Sequence, residues 1–447
     1  MPTPYRLQVC LFTTLILAGA SVAMGQHDSG VTGGGMIGGS TERSSKPATK
    51  PATKPATKPA NKPAATTPTT PASRKRTTPA PARRTTTPTT TPVSTASANV
   101  YYQQGEVHYN AKRYREALES YLKAAQFNPS MSSALYRIGW IYNELQEFES
   151  AIDPIKRTIA LQPTNAAAYF ELGYANKKLE RFDEALAAFK ESVRLNPSYV
   201  SAQFELGHTN KTLQHYDEAL VAFRDTVRLK PDHAGAHYEI GWILNDKQKY
   251  EDAIRSLRTA LSHQTGYAEA QNELGYSFRH LNRNNEAILA YQEAIRLKPD
   301  MGLAYLGLGD VYYYNTKQYA EAAKAYKQGL GFQPNNTTAL YNLAWCYNDL
   351  ERYTEAIAEL RKAIQLKPNY PEAHNELGYS LHQLARYTEA VQQYQIAIRQ
   401  KTDYASAHYN LAMSYLEMRN RAGALAQYQI LQRIDSARAA RLLTHIK

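Results

Sequence analysis

Two runs of apolar residues at i, i+3, i+4 and i+7, separated by a short polar turn, recur along the chain from residue 98 to about 437. Asn165–Pro197 is one such unit, with Leu172 in its first run and Phe182, Leu186 and Phe189 in its second. Each run predicts an amphipathic helix, so each unit predicts a helix hairpin. A small residue marks the first run at Gly105, Gly139, Gly173, Gly207, Gly241, Gly275, Gly309, Ala344, Gly378 and Ala412. The steps are 34 residues, with a single 35 between Gly309 and Ala344. An Ala marks the second run of every unit, from Ala117 through Ala185 to Ala424, and Pro closes most units, as Pro129, Pro197 and Pro368 do. Gly173 and Ala185 stand where two helices must approach closely, Phe182 and Phe189 fill the space beside them, and Pro197 stops the second helix. One hairpin leaves an apolar face uncovered, so ten such units must stack on one another.

Leu172-Gly173, Phe182, Ala185, Phe189 and Pro197, together with the 34-residue period, resemble the tetratricopeptide repeat (TPR) family over residues 98–437. The resemblance implies an all-α, right-handed TPR superhelical solenoid of about ten helix-hairpin repeats, preceded by a disordered N-terminal segment. Departures are local. Thr265 and Thr402 replace the closing Pro, Gly329 replaces the usual Ala or Ser, and the seventh repeat carries an extra residue near Tyr313-Tyr314-Asn315-Thr316. The final segment, Ser436–Ile446, has a helical apolar stripe, so residues 438–447 are expected to cap the last repeat.

The N-terminal part has a different pattern. Arg6, an apolar run from Val9 to Ala20 and small residues at Ser21, Ala23 and Gly25 predict a secretory signal peptide over residues 1–25. Cleavage after Ala23 or after Gly25 fits, an uncleaved anchor is the alternative, and the apolar run is short for a membrane span. Residues 26–97 abandon apolar periodicity for Gly, Pro, Thr, Ala and Lys, with Lys46-Pro-Ala-Thr repeated at Lys50, Lys54, Lys58 and Lys62 in close variants. Such a stretch predicts a disordered, extended linker. The resemblance to secreted bacterial TPR proteins with Pro- and Thr-rich spacers implies export to the periplasm, the cell surface or the medium. Once the signal is cleaved, the chain is not expected to be an integral membrane protein.

Charge then changes one inference. The net charge of +12 comes from 52 basic against 40 acidic residues; residues 1–97 hold 12 of the former and only Asp28 and Glu42 of the latter. The remainder holds 40 against 38 and is nearly neutral, so binding of nucleic acid along the repeats is not expected. Cys10 and Cys346 are the only cysteines, and signal removal leaves Cys346 alone, as a small buried filler. There is no metal-ligand spacing, HExxH, GxSxG or phosphate-binding Gly loop. A non-enzymatic chain without cofactor is therefore expected.

In the TPR fold, the first helix of each hairpin lines a concave groove, and the resemblance places the residues one after and three before the small residue in it. Here those positions hold Tyr102, Tyr136, Trp140, Phe170, Tyr174, Phe204, Tyr238, Trp242, Tyr276, Tyr341, Trp345, Tyr379 and Tyr409, with Asn143, Asn245 and Asn348 beside the three Trp. Trp, Tyr and Asn return together after 102 and then 103 residues, as duplication of a three-repeat block would produce. Glu171, Glu205, Glu239, Glu273 and Glu376 form a row two before the small residue, with Lys177, Lys211 and Arg279 nearby to pair with it. No Lys stands three before the small residue, so the Lys-based clamp for a terminal carboxylate is not expected. An aromatic groove of this kind suits a protein or extended peptide, basic or Pro/Tyr-containing, or the chain's own N-terminal tail. Glycan or cell-wall polymer binding by the same groove and a purely architectural spacer are the alternatives.

Overall fold

The computed structural model describes residues 92–446, with side chains from residue 95. The expected signal peptide and residues 26–91 of the expected linker lie outside the described residues. The described chain is all-α, with 21 α-helices and no strand.

It divides into two compact units, residues 92–181 and 182–446. The first holds α1 (Pro92–Asn110), α2 (Tyr114–Phe127), α3 (Ser132–Glu144), α4 (Phe148–Leu161) and α5 (Ala166–Lys178). The second begins with α6 (Phe182–Leu195), α7 (Val200–Thr212), α8 (Tyr216–Leu229), α9 (Ala234–Asp246), α10 (Tyr250–His263), α11 (Ala268–His280) and α12 (Asn284–Leu297). It continues through α13 (Gly302–Asp310), α14 (Tyr319–Phe332), α15 (Thr337–Asp349), α16 (Tyr353–Leu366), α17 (Pro371–Gln383) and α18 (Tyr387–Gln400) to α19 (Ala405–Glu417), α20 (Arg421–Ile434) and α21 (Ser436–Ile446). Within each unit, consecutive helices pack as antiparallel neighbours. Helix α1 begins at Pro92, ahead of the first repeat position at 98, and its outer face leaves Val100 and Val107 exposed. At the other end, Ala439, Leu442 and Ile446 of α21 are buried against Ala412, Ala424 and Leu431.

Close helix approach explains the recurring Gly. A Cβ on Gly241 would lie 2.5 Å from Leu257 Cγ, and one on Gly105 would lie 2.5 Å from Tyr121 Cε1. Both partners are fully buried core residues of the second helix, so a side chain here would force the hairpin apart. Cys346 is likewise buried, and its surroundings push its thiol pKa up.

The turns inside the hairpins are more unusual. Ten non-glycine residues, one in each hairpin from Lys112 to Arg419, adopt the left-handed conformation with φ of 56–63°. At the end of α3, Gln146 N–H donates to Asn143 O at 3.0 Å and Glu147 N–H to Tyr142 O at 2.8 Å. This is the paired closure of a helix end that usually takes Gly at its left-handed residue.

Candidate functional site

The first helices carry two recurring columns of polar side chains, and the structure joins them. The residue four after the small residue in one repeat meets the residue two before it in the next. Asn143 Nδ2 donates to Glu171 Oε2 at 2.8 Å and to the Glu171 carbonyl at 3.1 Å. Asn245 Nδ2 does the same to Glu273, at 3.0 and 3.1 Å, and Asn348 Nδ2 reaches Glu376 Oε2 at 3.4 Å. Lys211 Nζ pairs with Glu239 Oε2 at 2.5 Å. In the first rung, the Arg137 guanidinium lies 4.2 Å from the centre of the Tyr109 ring.

These rungs account for both the Asn super-period and the Glu row. Asn143, Asn245 and Asn348 are 4%, 2% and 3% exposed, so they sit in the seams between helices and not on an open face. Glu171, Glu205 and Glu239 are also buried. Lys211 pairs with the row as expected, whereas Arg279 turns to Asp310 Oδ2 at 2.7 Å, because the next repeat has Gly307 where the row would continue. Two Asn carbonyls are satisfied in turn, by Ser277 Oγ at 2.6 Å on Asn245 Oδ1 and by Ser380 Oγ at 2.7 Å on Asn348 Oδ1. In the Asn143 rung the matching residue is Ala175, and Asn143 Oδ1 is buried with no partner.

Burial sets the electrostatics of these seams. Removal from water pushes the Glu171 carboxyl up to about 8, against the Asn143 hydrogen bond that favours its charged form and with Glu144 adding to the rise. The same cause takes Glu273 to about 7. His280, buried beside the Arg279 charge, is held down to about 4.

The groove aromatics fall into two groups. Trp140, Phe170, Phe204, Tyr238 and Trp242 are buried. Trp140 meets Tyr109 and Tyr114 edge-on at 5.1 and 5.7 Å, Phe204 packs on His208 at 4.6 Å and Tyr238 on Tyr267 at 4.8 Å. Trp242 lies against Tyr216 at 6.0 Å, with Lys211 Nζ 4.6 Å from its ring centre. Tyr102, Tyr136, Tyr174, Tyr276, Tyr341, Trp345, Tyr379 and Tyr409 keep part of their surface open. Lys178 Nζ lies 5.3 Å from the Tyr174 ring centre, and Tyr276 packs on His280 at 4.4 Å.

The densest open row surrounds Trp345. The extra residue of the seventh repeat is taken up by a π-helical turn, Val311–Asn315, which ends the short helix α13. Such a turn widens the backbone locally to absorb one residue. Tyr314 there meets Asn342, the residue two before the next small one, as Asn143 and Lys211 meet Glu171 and Glu239, and Tyr313 lies beside Trp345. The Tyr313 ring lies 5.9 Å from Trp345, Tyr341 lies 5.1 Å from Trp345 on its own helix, and Tyr370 follows 5.3 Å beyond Tyr341. Tyr313 OH donates to Asp349 Oδ2 at 2.6 Å, and Tyr314 OH to Asn342 Oδ1 at 3.2 Å. The indole Nε1 of Trp345 has no acceptor. Tyr313 and Tyr370 were not assigned to the groove from sequence, although the local insertion pointed to Tyr313. Among the described residues, no cluster of His, Cys, Asp and Glu could hold a metal ion, and no helix is long and apolar enough to cross a membrane.

Several family models agree along this chain. Models described as tetratricopeptide repeat match residues 102–166, 166–199, 204–261 and 303–336, and one described as TPR repeat matches 275–316, 346–385 and 378–418. No curated protein matches the chain. Similar solved structures include MamA, 25% identical over 37% of this chain and 96% of that one, with a TM-score of 0.35. YrrB, described as a TPR protein with an unusual peptide-binding site, is 19% identical over 42% and 95%, with a TM-score of 0.37. PilF of Pseudomonas aeruginosa is 19% identical over 47% and 96%, with a TM-score of 0.42.

Proposed function

The chain belongs to the tetratricopeptide repeat family, and from that premise we propose that it is a non-catalytic scaffold that binds a protein or an extended peptide on the aromatic face of its first helices. The observation that carries this reading is the row of Tyr313, Tyr341 and Trp345, whose rings remain part-exposed over the buried Tyr370 while the polar columns beside them are closed into seams. Rings of this kind give a partner large apolar contact at low entropy cost. The buried members, Trp140, Phe170, Phe204, Tyr238 and Trp242, serve mainly as supports for the surface.

The seams also narrow the ligand. A sugar needs polar groups beside the rings, yet Asn143, Asn245 and Asn348 are engaged with Glu171, Glu273 and Glu376, and His382 Nδ1 with Ser414 Oγ at 2.9 Å. This favours a peptide over a glycan. The Glu row is closed in the same way, so a basic partner is not recruited through it. Residues 1–25 as an export signal and residues 26–91, ahead of α1, as a spacer complete the proposal, which puts the scaffold's work in a cell envelope or outside the cell. Mass determination of the mature chain tests the export step, with cleavage after Ala23 or Gly25 expected.

The groove itself is tested by affinity capture from envelope extract with the full chain and with a Tyr341→Ala/Trp345→Ala variant checked for helicity. Loss of captured partners in the variant supports the reading. Equal capture by both chains moves binding away from this face.

A further inference from the structure

Two positions of the first helices are sealed wherever one repeat stacks on another. The residue five before the small one is Ala in every later repeat, from Ala134 to Ala407, and none of these is more than 3% exposed. The residue two after the small one varies in type, as Ile141, Ala175 and Ser414 do, and is 0% exposed each time. What covers them is the second helix of the repeat before: Ala168 and Ala175 of α5 pack with Ala151 and Ile155 of α4. In the first repeat the same two positions are Val100 and Val107 of α1, 56% and 63% exposed. A terminal repeat that ends in water is expected to carry polar residues on its outer face. Gln103 and Gln104, both exposed, follow that rule, whereas the two valines break it. The last repeat shows the contrast, because α21 closes its face with Ala439, Leu442 and Ile446.

We infer that the outer face of α1 is an interface and that a second copy of this chain covers it, in a twofold pairing of the two α1 helices. The residues ahead of α1 do not supply a cover. Residues 38–91 contain no Val, Ile, Leu, Met or aromatic residue, and the one sustained apolar run, Val9–Ala20, belongs to the proposed export signal. Head-to-tail stacking of copies would need an open last repeat, and α21 occupies that face. An isologous contact remains, and α1 is complementary to itself. Val100 and Val107 lie two turns apart on one stripe, about 10.5 Å along the axis. A twofold axis between Gln103 and Gln104 therefore runs the helices antiparallel and sets each Val100 on the other copy's Val107. At the axis the Gln amides meet, and an amide is donor and acceptor at once. No charged residue stands between Pro92 and Gly105, so the pairing brings no like charges together there. The contact is small, which makes it a reversible dimer that exchanges at micromolar to millimolar concentration. None of these residues lies in the Trp345 row, so the groove reading stands or falls separately.

Sedimentation equilibrium on the full chain tests the pairing, beside a Val100→Glu/Val107→Glu chain and a Val100→Glu/Val107→Lys chain. Both positions are exposed, so the substitutions leave the fold intact, which equal helicity and equal urea midpoints on dilute protein check. The unaltered chain is expected to rise with concentration from the monomer mass to twice that mass. The Glu/Glu chain is expected to stay monomeric, because the pairing would set like charges face to face. The Glu/Lys chain is expected to recover the dimer at low salt and lose it at high salt, because the antiparallel register sets opposite charges face to face. A monomer at every concentration, or a dimer untouched by the paired Glu substitutions, overturns the proposal. Growth past the dimer also overturns it, because a twofold contact closes on itself. A Glu/Lys chain that stays monomeric at low salt overturns the antiparallel register and the proposal with it.

Discussion

Asn143 Nδ2 lies 2.8 Å from Glu171 Oε2 and ties helix α3 to helix α5 inside a seam where Glu171 is 5% exposed. The bond does two things at once. It fixes the register between successive first helices, and it leaves a carboxyl in surroundings that oppose its charge. The folded-state pKa of Glu171 is about 8 against an ordinary 4.5, so the folded protein holds a proton there that the unfolded chain releases. Stability from this group is fully present below about pH 4.5, falls as pH rises above it, and levels off above about pH 8. The Glu171→Gln chain should lose that slope, with the two chains diverging by on the order of a few kcal/mol across the window. Urea unfolding at pH 5 and pH 8.5 checks this, and parallel pH profiles would refute it.

The same seam predicts a stabilising substitution. Asn245 and Asn348 have their carbonyl oxygens satisfied by Ser277 and Ser380, while Asn143 Oδ1 faces Ala175 without a partner. Ala175→Ser supplies the missing hydroxyl at the equivalent position and should stabilise the chain by about 1 kcal/mol. The reverse change, Ser380→Ala, orphans Asn348 Oδ1 and should cost about 1–3 kcal/mol. Opposite shifts in urea midpoint are expected, and a destabilised Ala175→Ser chain would show that the seam cannot admit the hydroxyl.

Ala385 gives a third prediction. Its φ of 57° is left-handed, a region in which a Cβ crowds the following carbonyl, and Ala offers no side-chain hydrogen bond in return. Ala385 N–H and Arg386 N–H close the end of α17 on His382 O and Leu381 O, each at 2.9 Å. Ala385→Gly keeps both bonds and removes the crowding, for a net gain of roughly 0.5–1 kcal/mol after the entropy cost of Gly. A lower urea midpoint in the Gly chain would contradict this account of the turn.

The repeat phase, the helix class and the place of the extra residue near Tyr313 were all legible in the sequence, because each depends on spacing. The columns at Asn143 and Glu171 were visible too, but each alone looks like an open polar face. Their 28-residue separation places them in contact only when one repeat stacks on the next, which periodicity within a single helix does not express. The left-handed turns gave no signal, since Gln146, Glu180 and Ala385 stand where Gly would have announced them. Equivalent phase also concealed a difference in burial. Trp140, Trp242 and Trp345 look alike in sequence, yet Lys211 covers Trp242 and the rings of Tyr109 and Tyr114 enclose Trp140.

That difference separates support from recognition in the Trp series. Trp242 is 6% exposed and carries the Lys211 ammonium on its face, so Trp242→Ala removes buried ring contacts and loosens a cation paired with fully buried Glu239. A loss of about 3–5 kcal/mol is expected, as for large-to-small changes in a packed core. Trp345 is partly open, and its neighbours Tyr313 and Tyr341 retain Asp349 and Tyr370 as partners after its removal. Trp345→Ala should therefore cost less than about 2 kcal/mol, a surface-like value, while reducing capture of partners. Urea unfolding and affinity capture on both chains decide between the roles. If Trp345→Ala lost stability as heavily as Trp242→Ala and captured partners as well as the unaltered chain, both Trp would be supports, and the recognition surface would lie elsewhere on the first helices.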